Sequence, residues 1–360
     1  MLYKLLGTVF PAKAKSIQPR RIVLIRPCCI GDVVMATAAL TALRDAFPQA
    51  HISWAVGEWS ARAVAHHPAV DEIVDTGADM PLNSPAAFLR LVGLLRAGGY
   101  DCAVSLVRSP LMSLALRLSG IPLRAGLDSR GRGFGYNLRV AIDPDKPEHE
   151  SEIYLKVVSA LAGRELHAFA NLPVAEAALA VARAYLAAQS IDAPFIVAHP
   201  GGGVNPGARF EAKRFPMQQF AQILNQVAES WEASVVLLGG PDDAELVAEL
   251  ERQLDVRSVS WVDRLTFPEM GALAAEALVY IGNDTGLTHL AAASGAKAVM
   301  LMGPTDPLQY APYAQDSIAV CLVGRQVHFF AADRTNPLDW PEVCKSVHLA
   351  VKDIVDSVDD

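Results

Sequence analysis

The sequence lacks the glycine-rich and nucleophile motifs of several large enzyme classes. No G-x-G-x-x-G opens a helix after a strand-like run, and no G-x-x-x-x-G-K-[ST] occurs in the 360 residues. These absences disfavour a dinucleotide oxidoreductase and a P-loop NTPase. The G-x-S-x-G elbow of α/β-hydrolases is missing too. His, Cys, Asp and Glu do not cluster at metal-ligand spacing, so we predict no metal site and no cofactor.

Positive charge and aromatic side chains are also scarce. The formal net charge is −8 and aromatic residues make up 7% of the chain, which argues against a nucleic-acid partner, because such a partner requires neutralisation of many phosphates. Hydrophobic residues reach 52%, so the chain is expected to fold rather than to be disordered. Its length predicts two domains.

The five cysteines are odd in number and form no C-x-x-C pair. Cys28 and Cys29 are adjacent, and we expect them not to bridge each other. The cysteine pattern therefore predicts a reducing compartment without a structural zinc.

The first 21 residues depart from the acidic average, since no acidic residue precedes Asp32. Their basic residues are Lys4, Lys13, Lys15, Arg20 and Arg21. The apolar stretch among them is too short to span a bilayer, and no signal-peptide cleavage site follows. Two interpretations stay open: weak docking on an anionic membrane surface, or a solvated arm.

Strand and helix patterns alternate twice along the chain. The first series has strands near 21–25, 51–56, 72–75, 101–107 and 137–142, with helices near 32–47, 57–66, 84–97 and 110–119. After two helical stretches near 149–163 and 174–190, a second series has strands near 195–199, 234–238, 257–261, 277–281 and 297–302. This predicts two doubly wound α/β domains facing each other across a cleft.

The predicted boundaries are an arm at 1–20, an N-terminal domain at 21–175, a C-terminal domain at 176–340 and a last helix at 341–360. No strand follows that helix, which leaves it free to pack back on the N-terminal domain.

Three loops follow predicted strands and carry polar residues at the edge where open α/β sheets bind ligands. One places Asp32 at a helix start after 21–25, and another runs from His199-Pro200-Gly201 to Lys213-Arg214. The third, with Asp284, Thr285 and His289, opens a helix whose free N–H groups suit a phosphate. The alternative for the third loop is that Asp284 is a helix cap and His289 a core histidine.

These loops resemble the signatures of glycosyltransferase family 9, the ADP-heptose:lipopolysaccharide heptosyltransferases. The resemblance covers most of 21–356 and rests on R-x-x-x-x-G-D-V at 26–33, the run at 199–216, and N-D-T-G-x-x-H at 283–289 with G-P-T-D-P at 303–307. It implies a GT-B architecture of two Rossmann-like domains. The acceptor would bind to the first domain and a nucleotide-sugar, which is ADP-linked in this family, to the second. Transfer would invert the anomeric carbon and would need no metal ion.

Carried over residue by residue, the resemblance makes Asp32 the general base and Lys213 the cation that neutralises the leaving diphosphate. Both roles are chemically sensible, because a sugar hydroxyl needs a proton acceptor and a departing diphosphate needs fixed positive charge. The donor-binding residues would be His199, Gly201, Lys213, Arg214, Asp284, Thr285, Gly286 and His289.

Acceptor binding is assigned to Arg26, Arg130 and Arg132. The last two lie in a basic, glycine-rich loop that also contains Arg124 and Arg139. That loop either meets an anionic acceptor or is a solvated surface loop.

The leading hypothesis is an inverting, metal-independent glycosyltransferase that moves a heptose or related sugar to a glycan or lipid-linked acceptor. It would act in the cytoplasm, with peripheral contact to the inner face of the membrane through residues 1–21. The alternatives are a nucleotide-sugar epimerase or hydrolase on the same fold, and a non-catalytic nucleotide-sugar-binding relative.

Overall fold

A computed structural model describes residues 18–77, 82–192, 194–205, 208–323, 326–331 and 340–357. Most of the predicted basic arm, residues 1–17, lies outside this range. The chain divides into two compact units between Ala170 and Asn171. The boundary predicted from the sequence was at 175. No helix among the described residues combines the length and apolar character needed to cross a bilayer.

The first unit is a parallel six-stranded sheet in the order β3-β2-β1-β4-β5-β6. Its strands are β1 (Arg21–Ile25), β2 (His51–Val56), β3 (Glu72–Asp75), β4 (Cys102–Ser105), β5 (Leu123–Ser129) and β6 (Leu138–Ile142). Its helices are α1 (Ile30–Ala46), α2 (Glu58–Val64), α3 (Pro85–Ala97), α4 (Pro110–Ser119) and α5 (Glu150–Ala162). This is the strand order of the Rossmann fold.

Helices α3 and α4 begin where the sequence predicts. Ser84 and Ser109 accept the N–H groups of Ala87 and Met112, and proline occupies the first turn of both helices, as N-terminal capping favours. Leu91, Leu95 and Leu116 on their inner faces pack against the central strands in one apolar core. Two further helices of this unit, α1 and α5, pack against each other.

The second unit repeats the order in a seven-stranded sheet, β11-β10-β7-β12-β13-β14-β15, in which only β15 is antiparallel. The strands are β7 (Phe195–His199), β10 (Ser234–Gly239), β11 (Ser258–Val262), β12 (Val279–Asn283), β13 (Ala298–Met302), β14 (Ser317–Val323) and β15 (Gln326–Phe330), with a hairpin of β8 (Val204–Asn205) and β9 (Ala208–Arg209). The helices are α6 (Glu176–Ala188), α7 (Met217–Ser230), α8 (Ala244–Glu251), α9 (Phe267–Glu276), α10 (Gly286–Ala293), α11 (Pro307–Tyr310) and α12 (Glu342–Ser357). The two doubly wound sheets that the sequence predicted are therefore confirmed.

The last helix, α12, packs against α7 within the second unit. Val343, Val347 and Val351 on its apolar face belong to the core of that unit's sheet. This differs from the expectation that the helix packs on the N-terminal domain. The physical reason is that α12 supplies the apolar cover that this side of the second sheet requires.

The prediction that Cys28 and Cys29 do not pair was wrong. Their sulfurs form a disulfide, and the peptide bond between the two residues is cis. A cis bond shortens the separation of consecutive Cα atoms, here to 3.1 Å.

Candidate functional site

The predicted ligand loops lie at the points where the strand order of each sheet reverses. In the second unit the reversal falls between β7 and β12, and in the first between β1 and β4. Open α/β sheets bind ligands outside the carboxyl ends of the strands at such a point. The loops after β1, β7 and β12 are therefore all in position to hold a ligand.

Asn283, the last residue of β12, ties the loops of the second unit together. Its fully buried side chain donates from Nδ2 to the carbonyl of Pro200 at 2.7 Å and accepts the N–H of Phe215 at Oδ1, 3.0 Å away. The sequence marked Asn283 only as part of a motif. In the structure, its hydrogen bonds hold the loop after β7 beside the start of α10.

Lys213 and Asp284 form an ion pair at this start. Lys213 Nζ lies 2.8 Å from Asp284 Oδ2, which also accepts the hydroxyl of Thr305. The Asp284 side chain is buried, whereas 24% of the Lys213 side chain is exposed. A partly solvated cation beside a helix N-terminus is well placed to meet an anion.

The capping interpretation of Asp284 was wrong. Thr285 is the cap of α10, and its hydroxyl accepts the N–H of Thr288 at 3.4 Å. Because Thr285 takes this role, the Asp284 carboxylate is directed to Lys213 instead. His289 is buried one turn further along α10, which stays compatible with either of its two interpretations.

The glycine run after β7 approaches α10 closely. Gly202 has a φ of +117°, and a Cβ at that position would collide with the Thr285 side chain, so only glycine fits. The carbonyl of Gly202 accepts from Arg214 Nε at 2.9 Å. Arg214 therefore holds the glycine run that contains Gly201, and Gly286 is the first residue of α10 beside it.

His199, at the end of β7, pairs with Asp243 rather than standing alone. Its Nε2 lies 3.2 Å from Asp243 Oδ2, and both side chains are largely buried. Burial would raise the pKa of Asp243, but the hydrogen bond and charge of His199, helped by the N–H of Gly240, hold this pKa below its usual value. Sequence analysis missed Asp243. Its position just after β10 was the available signal, since acidic residues after the second strand of a Rossmann sheet often face the ligand.

In the first unit Asp32 is the third residue of α1 and forms an ion pair. Its Oδ2 lies 2.6 Å from Arg26 Nη2 and accepts the N–H of Cys29 at 3.4 Å. Burial of Arg26 works against its charged form, yet the Asp32 carboxylate outweighs this and the pKa of Arg26 is raised. The carboxylate keeps 26% of its side chain exposed, so solvent or substrate can reach it.

Tyr154 completes this cluster and was not predicted. Its hydroxyl donates to Asp32 Oδ1 at 3.5 Å, and the Arg26 guanidinium lies 5.5 Å from the centre of its ring. Burial raises the pKa of Tyr154, so the phenol stays neutral and remains a donor. Tyr154 comes from α5, 122 positions from Asp32 along the chain, and no sequence pattern links the two.

A second ion pair, with one buried partner, follows β4. Arg108 Nη2 lies 2.6 Å from Glu150 Oε1, and the Glu150 side chain is 5% exposed. The charge of Glu150 contributes to the raised pKa of Arg26, so the two pairs are neighbours. Both residues were missed, although Arg108 follows a predicted strand.

The four arginines that the sequence assigned to a basic loop are of two kinds. Arg124 and Arg139 lie in β5 and β6, and they donate to backbone carbonyls of the loop between these strands, those of Gly135 and Phe134 among them. Arg130 is exposed and forms an ion pair with Asp145 at 2.7 Å, and Arg132 is exposed as well. The acceptor assignment of Arg130 and Arg132 stays a prediction.

Among the described residues, no group of three or more His, Cys, Asp or Glu side chains is arranged to hold a metal ion.

The sequence profile of glycosyltransferase family 9 (heptosyltransferase) matches residues 88–337. The chain belongs to this family. It is therefore a glycosyltransferase, as the resemblance of its three loops implied.

Relatives in family 9 are similar along most of their length. Lipopolysaccharide heptosyltransferase 3 of Escherichia coli (strain K12) is 24% identical over 298 residues, which are 80% of this chain and 84% of the relative. Lipopolysaccharide heptosyltransferase 2 of Salmonella typhimurium (strain LT2) is 28% identical over 299 residues, with the same two shares.

Solved structures confirm the GT-B fold. The family 9 glycosyltransferase of Veillonella parvula superimposes with a TM-score of 0.72 at 22% identity, covering 84% of this chain and 86% of that one. The ADP-heptose lps heptosyltransferase II of E. coli gives a TM-score of 0.68 at 23% identity, with coverages of 91% and 98%.

Proposed function

We propose that this family 9 enzyme transfers a heptose from ADP-heptose to a hydroxyl of a lipopolysaccharide core or a similar glycan or lipid-linked acceptor. The relatives named above are lipopolysaccharide heptosyltransferases, and one solved structure of the fold is E. coli heptosyltransferase WaaC with ADP. The observation that carries the proposal is the Lys213–Asp284 pair at the start of α10.

In the proposed donor site the diphosphate lies at the N-terminus of α10. The free N–H groups of Thr285 and Gly286 and the helix dipole favour its charge. Lys213 neutralises the additional negative charge that develops on the diphosphate as its bond to the sugar breaks. His199, Gly201, Arg214 and His289 complete the donor side by shaping the loops around this anion, with Asn283 bracing them.

In the proposed reaction the acceptor hydroxyl attacks the anomeric carbon while the bond to the diphosphate breaks. The hydroxyl proton passes to the Asp32 carboxylate, and the nucleoside diphosphate leaves with the bonding electron pair. Attack from the side opposite the leaving group inverts the anomeric centre. Arg26 and Tyr154 hold Asp32 in place, and Arg130 and Arg132 bind anionic groups of the acceptor.

A thermal-shift comparison of ADP-, UDP-, GDP- and dTDP-sugars tests the donor. A ligand that binds only the folded protein raises the melting temperature, by an amount that grows with its concentration relative to its Kd. We expect the ADP-sugar to give the largest shift at equal concentration. A larger shift with another nucleotide would reassign the base, and the absence of a shift with all four would contradict the donor site.

Transfer is expected to continue in the presence of a chelator. No residue in the proposed reaction needs a metal, because Lys213 and the start of α10 supply the positive charge at the diphosphate. Activity should be unchanged in excess EDTA, measured as sugar transfer to the acceptor. Complete loss of activity that Mg²⁺ or Mn²⁺ restores would overturn the metal-independent mechanism.

We further propose that the enzyme works at the inner face of the cell membrane. A lipid-linked acceptor displayed there would be reached more readily by a docked protein. The basic residues at 1–21 suit this role, since each is worth about 1 kcal/mol near an anionic surface.

A further inference from the structure

The outer faces of α3 and α4 expose large apolar side chains. Leu89 is 66% exposed, Leu111 46% and Leu118 43%, and they are three of the seven large hydrophobic residues exposed within the described ranges. Isolated exposed leucines need no explanation, but three on two adjacent helices form a patch.

The three leucines belong to one surface because α3 and α4 pack side by side. Arg96 near the end of α3 donates from Nε and Nη2 to the carbonyl of Leu118 in α4, at 3.1 and 2.8 Å. Both helices already bury their inner faces in the sheet core. Leu89, Leu111 and Leu118 are therefore not needed to cover the sheet.

The charge of this surface is opposite to that of the whole protein. Neither helix contains an acidic residue, and Arg90, Arg96 and Arg117 lie on the exposed side. From 82 to 127 the single acid is Asp101, and of the five arginines Arg108 is paired with Glu150 and Arg124 is buried, which leaves Arg90, Arg96 and Arg117 on this surface. That acid is engaged by the backbone N–H groups of Arg20 and Arg21, whereas the full chain has a net charge of −8.

The surface begins at the edge of the sheet that carries the proposed acceptor site. Ser109, which caps α4, directly follows Arg108 of the pair with Glu150. Leu111 is two residues further on, so the apolar patch reaches the carboxyl ends of the strands beside the Asp32 cluster.

We propose that the outer faces of α3 and α4 form a docking surface for an anionic lipid bilayer. Leu89, Leu111 and Leu118 would enter the headgroup boundary while the arginines meet lipid phosphates, as in other interfacial helices. A two-fold pairing of this surface with itself is disfavoured, since an isologous contact would bring like charges together. This docking surface rests on the proposed function in one respect: a lipid-linked acceptor would explain why the enzyme binds a membrane through this face.

The test is co-sedimentation of the full-length protein with vesicles of phosphatidylcholine, with and without phosphatidylglycerol. We expect binding only to the anionic vesicles, weakened by salt. The double variant Leu89→Glu/Arg117→Glu should reduce the partition coefficient by at least about 10-fold, because it removes one apolar anchor and reverses one charge.

The chain offers a matched control on the second unit. Leu349 is 54% exposed on α12 and Lys352 is exposed three residues later. Leu349→Glu/Lys352→Glu makes the same change of charge and apolar area, and should bind vesicles as the unchanged protein does. Leu89→Ser alone serves as a milder variant should the double variant melt early.

Deletion of residues 1–19 separates the arm from the helices. We expect the deletion to weaken vesicle binding while Leu89→Glu/Arg117→Glu weakens it further. Equal binding by the double variant and the unchanged protein, or complete loss of binding through the deletion alone, would overturn the proposal. So would a dimer that the double variant converts to a monomer. Activity on a soluble acceptor analogue and the thermal shift with the donor should not change in any of these variants, which separates this proposal from the proposed function.

Discussion

Asp32→Asn is expected to slow sugar transfer by about 10²- to 10⁴-fold, the usual contribution of a general base. The amide has nearly the shape of the carboxylate but does not accept the proton of the attacking hydroxyl. Donor affinity should be unchanged, because the residues proposed to hold the nucleotide all belong to the second unit. Turnover is measured with saturating donor and acceptor, and donor affinity by calorimetry.

The substitution also removes the ion pair with Arg26, and this effect requires its own control. Asp71→Asn breaks the pair between Arg44 and Asp71, which has the same N–O distance of 2.6 Å and lies in the same unit. We expect Asp71→Asn to affect melting temperature alone. If the two variants lost activity equally, or if Asp32→Asn turned over at a near-normal rate, Asp32 would not be the general base.

The sheets could be predicted because their strands are short apolar runs between helical patterns. Phe195–His199 is buried throughout and Arg21–Ile25 is buried from Ile22 onward, and burial on both faces produces the continuous hydrophobic runs typical of parallel strands. Strand β5 (Leu123–Ser129) was missed because it contains an arginine, a glycine and an aspartate. The buried Arg124 is accommodated there by carbonyls of neighbouring turns, which no local pattern reveals.

In the candidate site, too, residues with a local sequence signal could be predicted, whereas contacts between distant parts of the chain could not. Asp32 lies in the first turn of the helix after β1, and Lys213 and Asp284 lie between a strand and the next helix, so the rule for ligand positions identifies them. Tyr154, which contacts Asp32, Thr305, which contacts Asp284, and Asp243, which pairs with His199, come from other elements. Pairing between elements depends on packing. The alternative that Asp284 caps α10 failed because Thr285 takes that position. Both residue types favour it, and helix boundaries are uncertain by one or two residues.

Lys213→Ala is expected to weaken donor binding and to lower kcat by about 10²-fold, the scale for loss of one fixed partner of a developing negative charge. Asp284→Ala should have a similar but smaller effect, because it leaves Lys213 charged but no longer held at the start of α10. Arg183→Ala is the matched control. It removes a 2.9 Å pair with Glu276 on the same unit and should alter neither donor affinity nor kcat.

The double variant Lys213→Ala/Asp284→Ala distinguishes a catalytic cation from a structural one. If Lys213 only neutralises the buried Asp284 carboxylate, removal of both groups should restore donor affinity, because an unpaired buried charge is what costs stability. If Lys213 meets the diphosphate, the double variant should bind the donor no better than Lys213→Ala. We expect the second result, since Lys213 retains exposed surface while Asp284 does not. Unchanged nucleotide affinity in both single variants would instead leave this pair with a structural role alone.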